Sequence, residues 1–309
     1  MTRADRGSGF GIRDSGGPLA ATALLVALCL PAPAIAMAQP SQPPPRRIVS
    51  LVPSVTETLF AMGAGSRVAA VSSYDNFPPD VEALPRVGAL FDPDVERILS
   101  LRPDLVIVYG SQTDLIARLG RASVPLYVYR HGSLADVTTG IRDLGARIGM
   151  ADAARTLAAT VDTAFADIRA RLKGASRPRT MLVIGREPGS LRAINVSGGF
   201  GFLHDLLDLA GGANVFGDVK RESMLVSTET VLARKPDVII ELHYSEPPLP
   251  EALTRDRATW QQLPGVPAVK AGRVYLLYGG ELVVPGPRVV LTAQTFARAL
   301  HPDLMPWGR

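Results

Sequence analysis

A stretch of twelve positions occurs twice in this chain, 133 residues apart. Glu96-Arg97-Ile98-Leu99-Ser100-Leu101-Arg102-Pro103-Asp104-Leu105-Val106-Ile107 is matched by Glu229-Thr230-Val231-Leu232-Ala233-Arg234-Lys235-Pro236-Asp237-Val238-Ile239-Ile240. Each copy reads as a helix end, a Pro-Asp turn and a buried strand. A looser echo pairs Leu59 through Gly65 with Leu207 through Ala213. One Pro-Asp turn recurs easily by chance, whereas a helix–turn–strand unit of this length does not. The repeat therefore predicts a duplicated βα block. With 309 residues, 47% of them apolar, the chain can fill two lobes of about 130 residues each.

The remaining pattern agrees with that reading. Short β-branched runs alternate with helical stretches, as βαβ units in parallel sheets require. Strands are predicted at 47–51, 68–71, 105–109, 126–129, 181–184, 238–242 and 274–277. Their nearly continuous apolar character suits strands covered on both faces. Pro53 opens a helix after the first strand, with Ser54 and Glu57 spaced as a capping box. Between the two blocks the period changes. Leu134, Val137, Ile141, Leu144 and Ile148 mark one helix. Leu157, Val161, Phe165, Ile168 and Leu172 mark a second, of about 23 residues or roughly 35 Å. A helix of that length can act as a strut joining two lobes. The expected organisation is an N-terminal α/β lobe at 47–132, a helical segment at 133–175 and a C-terminal α/β lobe at 176–309.

The N-terminus reads as a signal peptide over 1–38. Arg3, Arg6 and Arg13 precede an apolar run from Pro18 to Leu30, and Ala34-Ile35-Ala36-Met37-Ala38 supplies an A-x-A site, with cleavage expected after Ala38. The run is too short for the ~20 apolar residues of a spanning helix. Residues 39–46, polar and Pro-rich, form an expected flexible lead-in. Cys29, the one cysteine, lies inside the apolar run without the small preceding residue of a lipoprotein signal. The mature chain thus carries no thiol chemistry, and soluble export places it in a periplasm.

The formal charge of +4 is scattered, with no basic run beyond Arg46-Arg47 and no interleaved aromatics, which argues against a nucleic-acid partner. His131, His204, His243 and His301 are dispersed, so a bare metal site of three or four converging ligands is not expected. Gly198-Gly199-Phe200-Gly201-Phe202 lacks the spacing and Lys of a phosphate loop and reads as a turn into a helix. No nucleophile elbow, S-x-x-K or H-E-x-x-H occurs. No catalytic residue is assigned, although Glu57, Glu187 and Glu281 leave a carboxylate hydrolase as the alternative to a binder. A sensor or docking domain is a third reading. Open α/β sheets bind ligands beyond the carboxyl ends of their strands. In the second block that rule selects Arg186, His243, Tyr244 and Glu281, and in the first the loops after Leu51, Val71 and Tyr109.

Several motifs together resemble the iron-siderophore, haem and cobalamin family of periplasmic binding proteins, with its cobalamin-binding members nearest. Arg47-Ile48-Val49-Ser50-Leu51-Val52-Pro53-Ser54 with Thr56-Glu57 is similar to the family's first strand and loop. Ser72-Ser73-Tyr74 with Pro78-Pro79 is similar to its second loop. Residues 95–109 and their copy resemble its twin helix–Pro-Asp–strand units. Trp260, Leu263-Pro264, Val266, Ala268-Val269-Lys270 and Gly272-Arg273-Val274-Tyr275 resemble its C-terminal signature. The match spans about residues 46–300.

The resemblance implies two lobes bridged by one long helix, with cobalamin, haem or a ferric siderophore held non-covalently in the cleft. It also implies a monomer that delivers its ligand to an ABC permease dimer with cytoplasmic ATPases. Tyr74 and Tyr109 fall where the cobalamin binders place aromatic rings. Three cleft tryptophans of those members stand here as Leu90, Tyr109 and about Ser223, with Phe91 beside the first. Glu96 and Glu229, one per repeat, fall where the family presents a glutamate to permease arginines. A haem reading would give His243 or Tyr244 to the iron.

Overall fold

A computed structural model describes residues 43–130, 132–244 and 249–305. The expected signal peptide and His131 lie outside them. The first block runs β1 (Ile48–Ser50), α1 (Pro53–Ala61), β2 (Val68–Val71), α2 (Val95–Ser100), β3 (Leu105–Tyr109), α3 (Thr113–Arg121) and β4 (Leu126–Tyr129). Two helices follow, α4 (Leu134–Arg147) and α5 (Ala151–Arg171). The second block begins β5 (Arg179–Gly185), β6 (Ile194–Ser197), α6 (Phe202–Leu209), β7 (Ala213–Asn214) and β8 (Ser223–Val226). It ends α7 (Thr228–Arg234), β9 (Val238–His243), α8 (Pro250–Thr259), α9 (Pro267–Lys270), β10 (Val274–Tyr278) and α10 (Val289–Leu300).

The first sheet is parallel in the order β2-β1-β3-β4. In the second, β7, β9 and β10 stack around β5 in parallel register and repeat that order. The sequence pattern did not reveal the addition of β6 and β8, an antiparallel edge that makes the second sheet mixed. These strands are short and half polar, and they follow loops rich in charged residues, so no apolar run announces them.

The duplication extends to individual hydrogen bonds. Asp104 accepts from the Arg47 amide (2.8 Å), and Asp237 accepts from the Arg179 amide (3.2 Å). The side chain of Arg47 donates to the Leu101 carbonyl, and that of Arg179 to the Arg234 carbonyl. Each Pro-Asp turn is thereby locked to the first strand of its own sheet. Arg46, at the end of the expected flexible lead-in, is already held by Asp104 (2.7 Å). Arg102 and Lys235, the residues before the two prolines, both adopt left-handed backbone (φ 47° and 46°). A side chain there costs about 1–2 kcal/mol, whereas glycine pays chain entropy of roughly half that. Arg102→Gly and Lys235→Gly should therefore each raise stability by about 0.5–1 kcal/mol in urea unfolding.

Each sheet is covered on both faces. Val49, Leu51, Val106 and Val108 pack under α2 and α3, while Met181, Val183 and Ile239 pack with Val231, Trp260 and Val269. The opposite faces, carrying Ile48, Ile107, Leu182 and Ile240, share one continuous core with α1, α4, α5, α6 and α10. The long helix α5 does not stand alone. Gly149 (φ 73°) turns the chain back so that α4 lies antiparallel to α5, with Arg142 paired to Asp162 at 2.6 Å. The capping box expected at Ser54 and Glu57 does not form, because Pro53 starts the helix and Val52 is its cap residue. Glu57 turns instead to Arg288, 231 residues away.

Candidate functional site

In each sheet the chain leaves its first strand to one side and returns to the other, so a crevice opens between adjacent carboxyl ends. In the second sheet this point lies between β5 and β9. A cavity of about 430 Å³ opens there, lined by Arg186, Glu241, His243, Tyr244 and Asp256 among others. Alternation along β9 sets the direction of each side chain. Glu241 faces the layer that contains Trp260, and His243 follows on the same side.

Glu241 organises the cavity wall. Its carboxylate receives Arg186 Nε (3.0–3.1 Å) and Trp260 Nε1 (2.7 Å), and His243 Nε2 stands 3.2 Å away. Burial pushes its pKa up, but the nearby His243 ring, the hydrogen bond from Trp260 and the charge of Arg186 outweigh this and hold it below the usual carboxylate range. Arg186 is only 2% exposed and Glu241 only 1%. The remaining guanidinium donors serve the carbonyls of Ser190 (3.0 Å) and Asp256 (3.2 Å). Arg186 thus lines the cavity as a committed brace.

His243 stacks on Tyr278 with ring centroids 4.4 Å apart and 12° between planes. Its position is therefore set by two side chains before any ligand arrives. Tyr244, half exposed, donates its hydroxyl to the Ile184 carbonyl. Sequence reasoning missed Glu241 and the role of Trp260. The available signal was a carboxylate interrupting an otherwise apolar buried strand.

In the first sheet the corresponding point lies between β1 and β3. Gln112 accepts from the Tyr109 amide (3.0 Å) and donates to the Leu90 carbonyl (3.0 Å), which anchors the loop bearing Phe91. Asp75 accepts from the Ser72 amide and hydroxyl (2.9 and 2.5 Å), and the Ser73 amide donates to the Gly88 carbonyl (2.8 Å). The loops carrying Tyr74, Phe91 and Tyr109 are thus knitted along one edge. Tyr74 is 67% exposed and Phe91 is 89% exposed, so neither ring serves the core. Tyr109 differs. It is half-buried, packs edge-on against Tyr129 (5.8 Å, 79°), and burial pushes its hydroxyl pKa well up.

The loops after β2 and β10 meet. A Cβ on Gly280 would lie 3.3 Å from Asn76 Nδ2, so the carboxyl edges of the two sheets converge. Glu281, on the turn after β10, faces Arg288 at 3.4 Å, and the same guanidinium binds Glu57. Glu187 is occupied by Arg192 (2.6 and 2.7 Å) on the turn after β5. Among the described residues no three metal-ligating side chains converge, and no helix is long and apolar enough to cross a membrane.

Glu96 and Glu229 are both exposed at the second position of their helices. Asp94 and Ser227 cap those helices, accepting from the Arg97 and Thr230 amides. The Ser227 hydroxyl holds the Glu229 carboxyl below its usual range.

Residues 48–279 match the profile of the family described as periplasmic binding protein. The vitamin B12-binding protein of Yersinia pestis is 29% identical over 226 residues, covering 72% of this chain and 75% of that protein. Among solved structures, the periplasmic vitamin B12-binding protein of Vibrio cholerae superposes with a TM-score of 0.72 at 26% identity, covering 83% of this chain and 97% of that one. The apo periplasmic haem-binding protein of Roseiflexus gives 0.71 at 26% identity, over 84% and 99%.

Proposed function

The chain belongs to the periplasmic binding protein family, and on that premise we propose that it is the substrate-binding component of an ABC importer for a chelated iron or cobalt ligand. The ligand, cobalamin, haem or a ferric siderophore, is held without covalent chemistry between the two strand-end edges. The observation that carries this reading is the pairing of exposed rings on one edge with a pre-built polar cavity on the other. Tyr74 and Phe91 spend two large aromatic faces on solvent, while His243 and Tyr244 border the 430 Å³ cavity. Aromatic faces with a few placed polar groups suit a large, flat, partly charged ligand. Tyr109 supports the first edge from behind, Arg186 braces the second, and Glu281 stands where the edges meet. The relatives that bind vitamin B12 and haem support the ligand class.

The protein works in the periplasm as a monomer after cleavage behind Ala38 and hands its ligand to a permease dimer with cytoplasmic ATPases. The hydrolase reading gains nothing from the carboxylates: Arg288 is shared between Glu57 and Glu281, and Arg192 pairs with Glu187. Titration of the mature protein with cyanocobalamin, hemin and a ferric hydroxamate, followed by visible absorbance and calorimetry, tests the reading. Saturable binding of one of the three is expected. Binding of none, or turnover of any, overturns it.

Two substitution experiments localise the function. Tyr74→Ala and Phe91→Ala should each weaken binding about fivefold, the ~1 kcal/mol worth of an aromatic stack, while the melting temperature stays put. Glu96 and Glu229 are the docking residues for the permease, one on each copy of the repeat. An acid at this position also complements the helix dipole by ~0.3–1 kcal/mol. Glu96→Lys with Glu229→Lys should therefore leave ligand affinity intact and weaken capture by the reconstituted transporter tenfold or more. Normal uptake by the folded double variant would leave both residues as ordinary first-turn acids that complement the helix dipole.

A further inference from the structure

The loop after β10 does not stay with its own sheet. It crosses to α1, where the Arg288 guanidinium takes Glu57 in a two-pronged pair, Nη2 to Oε1 at 2.6 Å and Nε to Oε2 at 3.0 Å. Its charge also lies 3.8 Å from the centre of the Phe77 ring, and Nη1 reaches Glu281 at 3.4 Å. Glu57 is buried and Arg288 half-buried. The approach of the backbone is equally close. A Cβ on Gly286 would lie 3.1 Å from Glu57 Oε2 and 3.3 Å from the Ser54 carbonyl. Thr292 donates to the Glu281 carbonyl (3.2 Å), which fixes this loop to α10 and so to the shared helical core.

We propose that Arg288 is a positioning residue that sets the aperture of the ligand cleft. It fastens the second lobe to Glu57 and Phe77 of the first, at a point separate from the α4–α5 connection. One covalent crossing alone leaves the lobes free to hinge. A planar fork gripping a carboxylate and stacked on a ring restricts both distance and angle, which a flexible ammonium does not. Ser54 and Glu57 are on α1, which starts directly beyond the carboxyl end of β1, so the tie lies at the strand-end edge of the first sheet. Its consequence for ligand exchange rests on the cleft reading above, but the aperture itself is measurable without ligand.

Spin labels at Asp114→Cys on α3 and Lys270→Cys on α9, both exposed, report the interlobe distance. The chain's single cysteine lies at position 29, within the segment expected to be cleaved. The unsubstituted protein should give a narrow distance distribution by pulsed electron resonance. Arg288→Met should broaden it about twofold, and Arg288→Lys should recover only part of the narrowing. Glu57→Gln, which keeps the size of the side chain, should broaden it as well and serves if Arg288→Met fails to fold. Unchanged widths in a folded Arg288→Met or Glu57→Gln protein would reduce Arg288 to local support of its loop and overturn the proposal. In the same variants, dissociation of a bound chelate should quicken several-fold. Broadening in these variants of a protein that binds none of the three chelates would sustain the tie and defeat the ligand reading instead.

Discussion

Glu241→Ala should cost about 3–5 kcal/mol of folding stability, the usual loss when one partner of a buried ion pair is removed. Arg186 would remain buried with its charge uncompensated, since the Asp256 carboxylate is 3.8 Å away and partly exposed. Trp260, fully buried, would lose the acceptor of its indole N–H, itself worth about 1–3 kcal/mol. Glu241→Gln should fall between, because it keeps an acceptor for Trp260 and loses only the charge. Replacing the pair together, Glu241→Leu with Arg186→Met, should recover most of the loss. Urea unfolding at neutral pH measures all four proteins. The sign of the pH dependence follows from the lowered carboxyl. Its contribution is complete above the unfolded carboxyl range and fades only as pH falls through a still lower value. The deficit of Glu241→Ala should accordingly be the same at pH 7 and pH 5.5. Collapse of the double variant would show that the polar network specifies the strand ends as well as stabilising them.

Arg288→Met should cost about 3 kcal/mol at pH 7, and here the pH dependence has the opposite sense. Burial raises the Glu57 carboxyl above its ordinary value, with Asp75 and Glu281 adding to the rise and Arg288 opposing it. A raised carboxyl binds its proton more tightly in the folded state. The stability this brings is full below the unfolded pKa and is lost as pH rises through the folded one. Removing Arg288 takes away the main lowering influence and raises the carboxyl further. The variant should therefore be furthest below the parent at pH 7 and approach it as pH falls through the raised range of the Glu57 carboxyl, where protonation removes the charge that Arg288 pairs. A deficit that stays constant over that interval would mean that the arginine acts by packing on Phe77 rather than by pairing with Glu57.

The two predictions draw on interactions of different legibility. Local chemistry was readable in the chain. The apolar runs at 105–109 and 238–242 became β3 and β9, and Asp94 and Ser227 cap α2 and α7 as their positions imply. At the constant offset of the two Pro-Asp turns, Arg102 and Lys235 share one backbone conformation, which the spacing alone did not specify. Loops at strand ends were also foreseeable, because parallel connectivity dictates where crevices open. What periodicity could not supply was the partner of each side chain. Arg186 follows a strand and reads as a free donor, yet its neighbour in space is Glu241, 55 positions on. Glu57 is spaced to cap its own helix and instead answers Arg288 across the molecule.

The sequence alone therefore determined a duplicated α/β chain, with its apolar parallel strands β1–β5, β9 and β10 and the loops at their ends. These follow from side-chain spacing and backbone propensity, which act over a few residues. The tertiary structure alone decided which charges would be buried together, which rings would face water, and that the second sheet would gain an antiparallel edge. Burial makes an isolated charge too costly to leave unpaired, so the partner is whichever opposite charge the fold brings within reach. No local pattern encodes that distance.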